Sequence, residues 1–163
     1  MTGPGKGKTT AALGIILRSL SYGRKVLLAR FAKARHSGEL DILGSFSGMR
    51  ILGGGFGMTP APEHPEYPKH VAAARELFRR VRESAGEFDL VVMDEICGIT
   101  ARGMVEEAEV AAFLASLRAS QAAVLTGRGA GVALIAAADT VSEIGVVKHG
   151  FTRGISAQEG VEF

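Results

Sequence analysis

The chain opens on a glycine-rich loop that leads directly into a helical pattern, and this arrangement restricts the possible fold more than any other feature. Residues 2–10 read Thr-Gly-Pro-Gly-Lys-Gly-Lys-Thr-Thr. Gly3, Gly5 and Gly7 allow the backbone to curl so that its N–H groups point inward and form an anion-binding nest. A helix that begins near Thr9 adds the positive end of its dipole. These residues predict a phosphate-binding loop within an α/β fold.

Two side chains of the loop have the chemistry that a polyphosphate requires. Lys8 supplies a mobile positive charge for phosphate oxygens, and Thr9 is placed to bind magnesium through its hydroxyl. The loop from Gly3 is one residue shorter than the general pattern, which has a glycine at the position of Thr2. A glycine-rich turn with incidental lysines is the alternative. Gly-Lys-Thr-Thr at the start of an amphipathic helix favours the phosphate-binding interpretation.

Short apolar runs alternate with helical patterns along the rest of the chain, which is typical of a parallel sheet covered by helices on both faces. The patterns predict strands at 25–31, 49–52, 88–93, 122–125 and 140–147, and helices at 9–20, 71–82, 105–117 and 131–138. We expect the tail after Phe151 to add a last edge strand. The sequence therefore predicts one α/β domain over residues 1–163 with three layers, α/β/α, and a mostly parallel sheet.

A strand normally precedes a phosphate-binding loop of this kind, and it would be central in the sheet. Only Met1 and Thr2 precede Gly3 in this sequence. A longer natural chain and an unusual sheet would each account for the missing strand, and the sequence leaves both interpretations open.

An acidic pair, Asp94 and Glu95, ends the predicted strand at 88–93. In open α/β sheets, ligands bind at the carboxyl ends of the strands. Magnesium takes oxygen ligands from one or two carboxylates together with phosphates. We therefore predict that the pair holds or orients a magnesium ion opposite Thr9. The alternative is that Asp94 caps the next segment and Glu95 faces solvent.

Two arginines are further candidates. Arg128 lies in the Thr-Gly-Arg-Gly turn that follows the strand at 122–125, so we expect it at the ligand edge, where it could clamp phosphate oxygens. A surface arginine in a turn is the alternative. Arg18 lies on the first helix, about two and a half turns past Lys8. Composition alone would make Arg18 a surface residue.

Composition excludes several classes of protein. A net charge of +2, without a concentrated basic face, argues against a general nucleic-acid binder. No run of 18 apolar residues and no charged-then-apolar leader is present, so neither a membrane-spanning helix nor a secretory signal is expected. The single cysteine, Cys97, fits a reducing compartment, and we expect a cytoplasmic protein. The four histidines, His36, His64, His70 and His149, lack the spacing of a structural zinc site.

These segments together resemble the ATP:cob(I)alamin adenosyltransferases of the P-loop, RecA-like type. The matching stretches are TGPGKGKTTAALG at 2–14, Arg18, Phe31 with Lys33, Gly38 with Glu39, GGGF at 53–56, DLVVMDE at 89–95, LTGRGA at 125–130, ADTVSE at 138–143, VKHGF at 147–151 and GISAQEGVEF at 154–163. They follow the family's order along the whole chain, and the short loop with Lys6 is the family's form. The resemblance implies the P-loop NTPase (RecA-like) fold.

The resemblance also implies an activity. The family binds ATP with magnesium, and the reduced cobalt of a corrinoid attacks the C5′ carbon of the ribose, so that inorganic triphosphate leaves. By the same matching, the nucleotide contacts are Gly3, Pro4, Gly5, Lys6, Gly7, Lys8, Thr9, Thr10, Arg18 and Arg128. The magnesium residues are Thr9, Asp94 and Glu95, and Lys8 acts on the leaving triphosphate. An electron-donating reductase or flavoprotein, and a homodimer, are further expectations from the family.

Family members use aromatic residues after the GGGF-like stretch to displace the lower axial ligand of cobalt, which makes the metal easier to reduce. Phe56 keeps one of these positions, and Met58 stands where the family has tryptophan. Met58 is apolar and adaptable but fills less space than tryptophan.

Two other functions remain open at this stage. One is a P-loop kinase or ATPase that transfers the terminal phosphoryl group, and the other is a non-catalytic nucleotide or corrinoid carrier.

Overall fold

Helices alternate with parallel strands in the computed structural model, which describes residues 1–32 and 37–161. The helices are Lys8–Ser21 (α1), Glu39–Gly44 (α2), Tyr67–Ser84 (α3), Ile96–Thr100 (α4), Glu107–Ala115 (α5) and Val132–Ala137 (α6). The strands are Val26–Arg30 (β1), Met49–Gly53 (β2), Leu90–Asp94 (β3) and Ala122–Leu125 (β4). Two 3-10 turns lie at Ala85–Glu87 and Gly150–Arg153. Lys33, one of the residues that carry the family resemblance, and His36 lie outside the described residues.

The four strands form a parallel sheet in the order β2-β1-β3-β4 across the described ranges. β1 is central and pairs with both β2 and β3, so that Arg30 lies beside Asp94 at the carboxyl end. β3 pairs in turn with β4, with Met93 opposite Leu125. The register therefore ends β1, β3 and β4 at one edge, where the loops after them meet.

Alternation of side chains along the strands builds a core on each face of the sheet. One face presents Leu27, Ala29, Val91 and Met93, which pack with residues of α3, α4, α5 and α6. The other face presents Val26, Leu28, Leu90 and Val92, which pack with Ala12 and Ile16 of α1 and Leu43 of α2. The α/β/α layering and the parallel sheet predicted from the sequence are confirmed.

The expected strand at 140–147 is wrong. Within that range the structure has a single parallel bridge between Thr2 and Glu143. The N–H of Thr2 donates to the Ser142 carbonyl, and the N–H of Ile144 donates to the Thr2 carbonyl, both at 2.9 Å. A parallel ladder needs a neighbouring extended segment. Among the described residues only Thr2 forms a β-bridge with this range, so the ladder does not extend beyond that bridge.

Met1 and Thr2 make backbone contacts with two different segments of the chain. The amino group of Met1 donates to the Leu125 carbonyl at 2.8 Å, so Met1 contacts β4 on one side while Thr2 pairs with Ser142 and Ile144 on the other. Residues 1 and 2 therefore lie between β4 and residues 142–144.

Two other expectations need correction. The tail after Phe151 forms a 3-10 turn at Gly150–Arg153 and further turns, and no strand as far as residue 161. Gly154 and Gly160 have φ angles of 71° and 75°, a left-handed conformation that interrupts an extended chain. α3 begins at Tyr67 rather than Val71, because Pro68 is tolerated in the first turn of a helix, where its missing N–H costs nothing.

Across the described residues, every helix is too short or too polar to cross a bilayer.

The packing of α1 on the sheet should contribute strongly to stability. Ile16 is fully buried against the β-strands, whereas its neighbour Leu17 is 48% exposed. We expect Ile16→Ala to lower the free energy of unfolding by about 2–5 kcal/mol, because it leaves a cavity. Leu17→Ala should cost about 1 kcal/mol or less. Urea unfolding followed by circular dichroism measures both, and equal losses would contradict the orientation of α1.

Candidate functional site

The glycine-rich loop closes tightly against residues 143–145. The N–H of Gly5 donates to the Ile144 carbonyl at 2.7 Å. A Cβ at Gly5 would lie 2.5 Å from the Gly145 carbonyl oxygen, and a Cβ at Gly3 would lie 2.6 Å from that of Ile144. Gly3 and Gly7 also have φ angles of 96° and 101°. Glycine is therefore required here by close backbone approach and by left-handed conformation.

Lys8 is the first residue of α1, and its ammonium group lies inside the loop. Nζ donates to the carbonyls of Gly3 at 2.7 Å and Gly5 at 2.6 Å, and the side chain is buried. Burial lowers the pKa of Lys8, while the charge of Glu95 opposes that shift and the charge of Arg128 adds to it. The loop therefore holds a poorly hydrated cation beside the N-terminus of a helix, which attracts anions.

The acidic pair lies beside the loop. The hydroxyl of Thr9 donates to Asp94 Oδ1 at 2.9 Å, and this contact joins α1 to the end of β3. Asp94 is buried, and its hydrogen bond with Thr9 links it directly to the residue that follows Lys8. A hydroxyl and a carboxylate oxygen at this spacing are oxygen donors of the kind that magnesium prefers.

Glu95 takes a left-handed conformation, with φ of 69°, where the chain turns from β3 into α4. Its N–H donates to the hydroxyl of Thr126 at 2.9 Å, and the same hydroxyl donates to Asp94 Oδ1 at 2.7 Å. The sequence prediction placed the Thr126–Gly129 turn at this edge but assigned a role only to Arg128. A threonine directly after a strand that neighbours the acidic strand is the signal that could have identified Thr126.

These residues surround an open cleft of about 550 Å³, which we call the phosphate cleft. Its lining combines the loop and start of α1 with residues from the neighbouring strand ends: Gly5, Lys6, Gly7, Lys8, Thr9, Thr10, Glu95 and Arg128 are among them. The volume lies in the usual range of small-molecule sites. The structure thus brings most of the predicted phosphate and magnesium residues into one cleft.

Four of the predicted phosphate and magnesium residues, Gly3 among them, do not line the cleft. Arg18 is exposed on α1, and at 1.5 Å per residue it lies about 15 Å along the helix from Lys8. Pro4 is exposed and does not line the cleft. Asp94 lies beneath the cleft and reaches it through its contact with Thr9. The nucleotide and magnesium contacts of all the predicted site residues stay predictions.

Metal binding at this edge would depend on few protein ligands. In the ranges 1–32 and 37–161, no group of three or more His, Cys, Asp or Glu side chains is arranged to hold a metal. Magnesium that accompanies a polyphosphate takes most of its ligands from phosphate oxygens and water, and needs one or two protein oxygens. Thr9 and Asp94 fit that requirement.

The two candidates of the loop after β2 form a separate area. Phe56 is 49% exposed, its ring meets the His70 ring edge-on with centroids 5.5 Å apart, and Lys69 Nζ lies 4.3 Å from its centroid. Met58 is 93% exposed. Neither lines the phosphate cleft. The contacts from Lys69 and His70 were not predicted, because nothing in the sequence shows that the first turn of α3 folds back onto this loop.

Comparisons with known proteins agree with this geometry. The model of the family described as ATP:corrinoid adenosyltransferase BtuR/CobO/CobP matches residues 1–163. A corrinoid adenosyltransferase of Pseudomonas aeruginosa is 36% identical over 168 residues, which cover 99% of this chain and 81% of the relative. A corrinoid adenosyltransferase of Escherichia coli K12 is 33% identical, and the corrinoid adenosyltransferase CobA of Salmonella typhimurium is 32% identical. Each alignment covers 99% of this chain and 83% of the relative.

The close approach at Gly5 gives a test of the loop. Gly5→Ala would force the new methyl group into two backbone carbonyls, so we expect binding of inorganic triphosphate to weaken by at least about tenfold. Gly14→Ala is the matched control, because a Cβ there meets no atom within 4 Å and alanine favours the helix. Isothermal titration calorimetry measures the affinity. Unchanged triphosphate binding by Gly5→Ala would mean that the loop does not hold the anion.

Proposed function

Because this chain belongs to the ATP:corrinoid adenosyltransferase family, we propose that its phosphate cleft binds ATP for transfer of the adenosyl group to a corrinoid. The protein is a transferase, and its substrates are ATP and a corrinoid. The observation that supports the cleft most directly is the 2.9 Å contact between Thr9 and Asp94, which places the acidic strand end next to the loop that encloses Lys8.

The chemistry needs little acid–base help from the protein. Reduced cobalt supplies the electron pair of the new cobalt–carbon bond to C5′ of the ribose. The bond between C5′ and its oxygen breaks, and triphosphate leaves with that electron pair. No proton is removed from the attacking atom, so no general base is required. The protein must align the attacking and leaving atoms and stabilise the charge of the triphosphate.

Lys8 and the backbone of the loop are placed for that second task. The N–H groups around Gly5 and Gly7 and the N-terminus of α1 bind phosphate oxygens, and Lys8 turns from the Gly3 and Gly5 carbonyls to the phosphate chain. Lys6, Thr10 and Arg128 line the same cleft and add donors along it. We propose that Arg128 contacts the phosphates from the opposite wall.

Thr9, Asp94 and Glu95 would hold the magnesium ion that accompanies ATP. Such an ion supplies positive charge to the triphosphate as negative charge accumulates on it. Thr9 provides a hydroxyl oxygen, Asp94 accepts the hydrogen bond that orients this hydroxyl, and Glu95 reaches the cleft from the turn after β3. We propose that these three residues orient the ion together.

We propose that Phe56 and Met58 form part of the corrinoid surface. Phe56 offers a half-exposed ring fixed by Lys69 and His70, and Met58 offers a flexible apolar side chain two residues further on.

Reduced cobalt also requires an electron source, for which a reductase or flavoprotein is the expected partner. A cytoplasmic location agrees with one buried cysteine, Cys97, in the free state. A homodimer stays a prediction from the family resemblance.

The first test of the function separates adenosyl transfer from phosphoryl transfer. The protein is mixed with Mg²⁺, ATP and chemically reduced cobalamin, and the corrinoid spectrum and the phosphate products are followed. We expect a cobalt–carbon bond to form and triphosphate to accumulate. Diphosphate without a spectral change would indicate a kinase or ATPase, and tight ATP binding without any product would indicate a carrier.

The role of Lys8 is tested in the same assay. Lys8→Ala should lower kcat/KM by at least about a hundredfold, because the charge that stabilises the triphosphate is lost. Lys25→Ala is the matched control, since Lys25 is exposed and its side chain lies outside the cleft. A Lys8→Ala protein with normal turnover would show that the phosphate site is assigned to the wrong residues.

The corrinoid surface is tested by changing its aromatic content. Aromatic contacts contribute about 0.5–1.5 kcal/mol, which corresponds to about two- to tenfold in rate. We expect Met58→Trp to raise and Phe56→Ala to lower the adenosylation rate by factors in this range, with the KM for ATP unchanged. Phe46→Ala, which removes another partly exposed ring, is the control. Rates that do not respond to either change would exclude this surface.

A further inference from the structure

Thr126 connects β4 to the acidic turn through four hydrogen bonds. The residue is completely buried. Its N–H donates to the Met93 carbonyl and its carbonyl accepts from the N–H of Cys97, both at 3.1 Å. Its hydroxyl accepts from the N–H of Glu95 at 2.9 Å and donates to Asp94 Oδ1 at 2.7 Å. One residue thus contacts the whole segment from β3 into α4.

The hydroxyl of Thr126 makes one hydrogen bond as a donor and one as an acceptor. A hydroxyl can donate one hydrogen bond, which Thr126 directs to Asp94 Oδ1, and its oxygen can accept, which it does from the N–H of Glu95. Asp94 Oδ1 therefore accepts hydrogen bonds from the hydroxyls of both Thr9 and Thr126. Hydrogen bonds to a carboxylate are stronger than neutral ones, so this pair of donors holds Oδ1 in place.

The bond to Glu95 stabilises a turn that the residue would otherwise avoid. A φ of 69° is unfavourable for a residue with a Cβ. The Thr126 hydroxyl satisfies the N–H of Glu95 in this conformation, and Glu95 reaches the phosphate cleft from it. A valine side chain has the same shape but neither donates nor accepts, so it could not hold this turn.

The segment after Thr126 has no freedom to adjust independently. A Cβ at Gly127 would lie 2.8 Å from the Gly98 nitrogen, so the backbone of this turn packs directly against α4. Arg128, the next residue, lines the phosphate cleft. The position of Arg128 and the position of the acidic pair therefore depend on the same contact.

We propose that Thr126 is a positioning residue whose hydroxyl aligns Asp94 and Glu95 with the magnesium ion of bound ATP. Thr126 is buried and acts through these two carboxylates without touching the nucleotide. The inference rests on the proposed function to the extent that the ion enters with ATP. It goes beyond that function because it makes the metal affinity of the cleft depend on a buried residue that follows a different strand, β4.

The test measures how strongly ATP binding depends on Mg²⁺. Calorimetric titrations of ATP at increasing Mg²⁺ give the apparent metal affinity, and Mn²⁺ titration followed by electron paramagnetic resonance gives it independently. Loss of a residue that orients metal ligands typically weakens metal binding about 10–100-fold. We expect Thr126→Val to show such a loss while ATP binding without metal stays unchanged, and Thr126→Ser to keep the wild-type affinity.

Two controls separate the hydroxyl from general packing. Thr100→Val removes a hydroxyl that donates only to the Cys97 carbonyl within α4, and it should leave the metal affinity unchanged. Thermal unfolding monitors the fold of each variant. If Thr126→Val does not fold, Thr126→Cys replaces it, because cysteine carries a weakly hydrogen-bonding thiol where serine carries a hydroxyl. Its metal affinity should fall below that of Thr126→Ser.

Three results would overturn the proposal: wild-type metal affinity in Thr126→Val, equal losses in the serine and valine variants, or no Mg²⁺ dependence of ATP binding in the unaltered protein. Failure of the proposed function has a different signature. A protein that binds Mg²⁺ and ATP but forms no adenosylated corrinoid would contradict the transferase activity, while the metal titrations would still decide the role of Thr126.

Discussion

The hydrogen bond between Thr9 and Asp94 is the contact on which the phosphate cleft depends. It joins the first turn of α1 to the end of β3, and it requires α1 to lie across the sheet on the face that buries Ala12 and Ile16. The parallel register of β1 with β3 places Asp94 at that edge. Core packing on one face of the sheet thus determines whether a hydroxyl and a carboxylate oxygen meet within 2.9 Å. A shift of β3 by one residue would turn Asp94 to the opposite face.

Local patterns in the sequence were sufficient for α1, for the four strands of the sheet and for the phosphate loop. α1 and β4 agree with the predicted ranges to within a residue, because an uninterrupted helical stripe and a short apolar run are both local signals. The glycine spacing identified the loop because its conformation depends on the glycines themselves. The strand expected at 140–147 was wrong, since its apolar residues indicate an extended chain but pairing depends on a distant neighbour, which here is Thr2.

The contacts between distant segments were the part that the sequence could not supply. Thr126 lies 32 residues from Asp94 along the chain, and only the pairing of β3 with β4 makes them neighbours. The fixation of Phe56 by Lys69 and His70 likewise depends on how α3 folds back over the preceding loop. Both interactions arise from side chains that look ordinary in the sequence, a buried threonine and two residues at the start of a helix. The family resemblance indicated which strand ends matter but not which hydroxyl connects them.

The bonds of Lys8 to two carbonyls of its own loop bear on which anions the protein selects. The ammonium group has three N–H donors, and the carbonyls of Gly3 and Gly5 accept from two of them. A ligand that draws Lys8 into the cleft must therefore replace these internal acceptors. An anion with a single oxygen in reach can accept one N–H, but it does not compensate for both carbonyl contacts that are lost when Lys8 turns away from its loop. A chain of linked phosphates offers several oxygens at once and can compensate for both. The loop thus discriminates by the number of acceptors that arrive together, in the manner of a chelate, and not by charge alone.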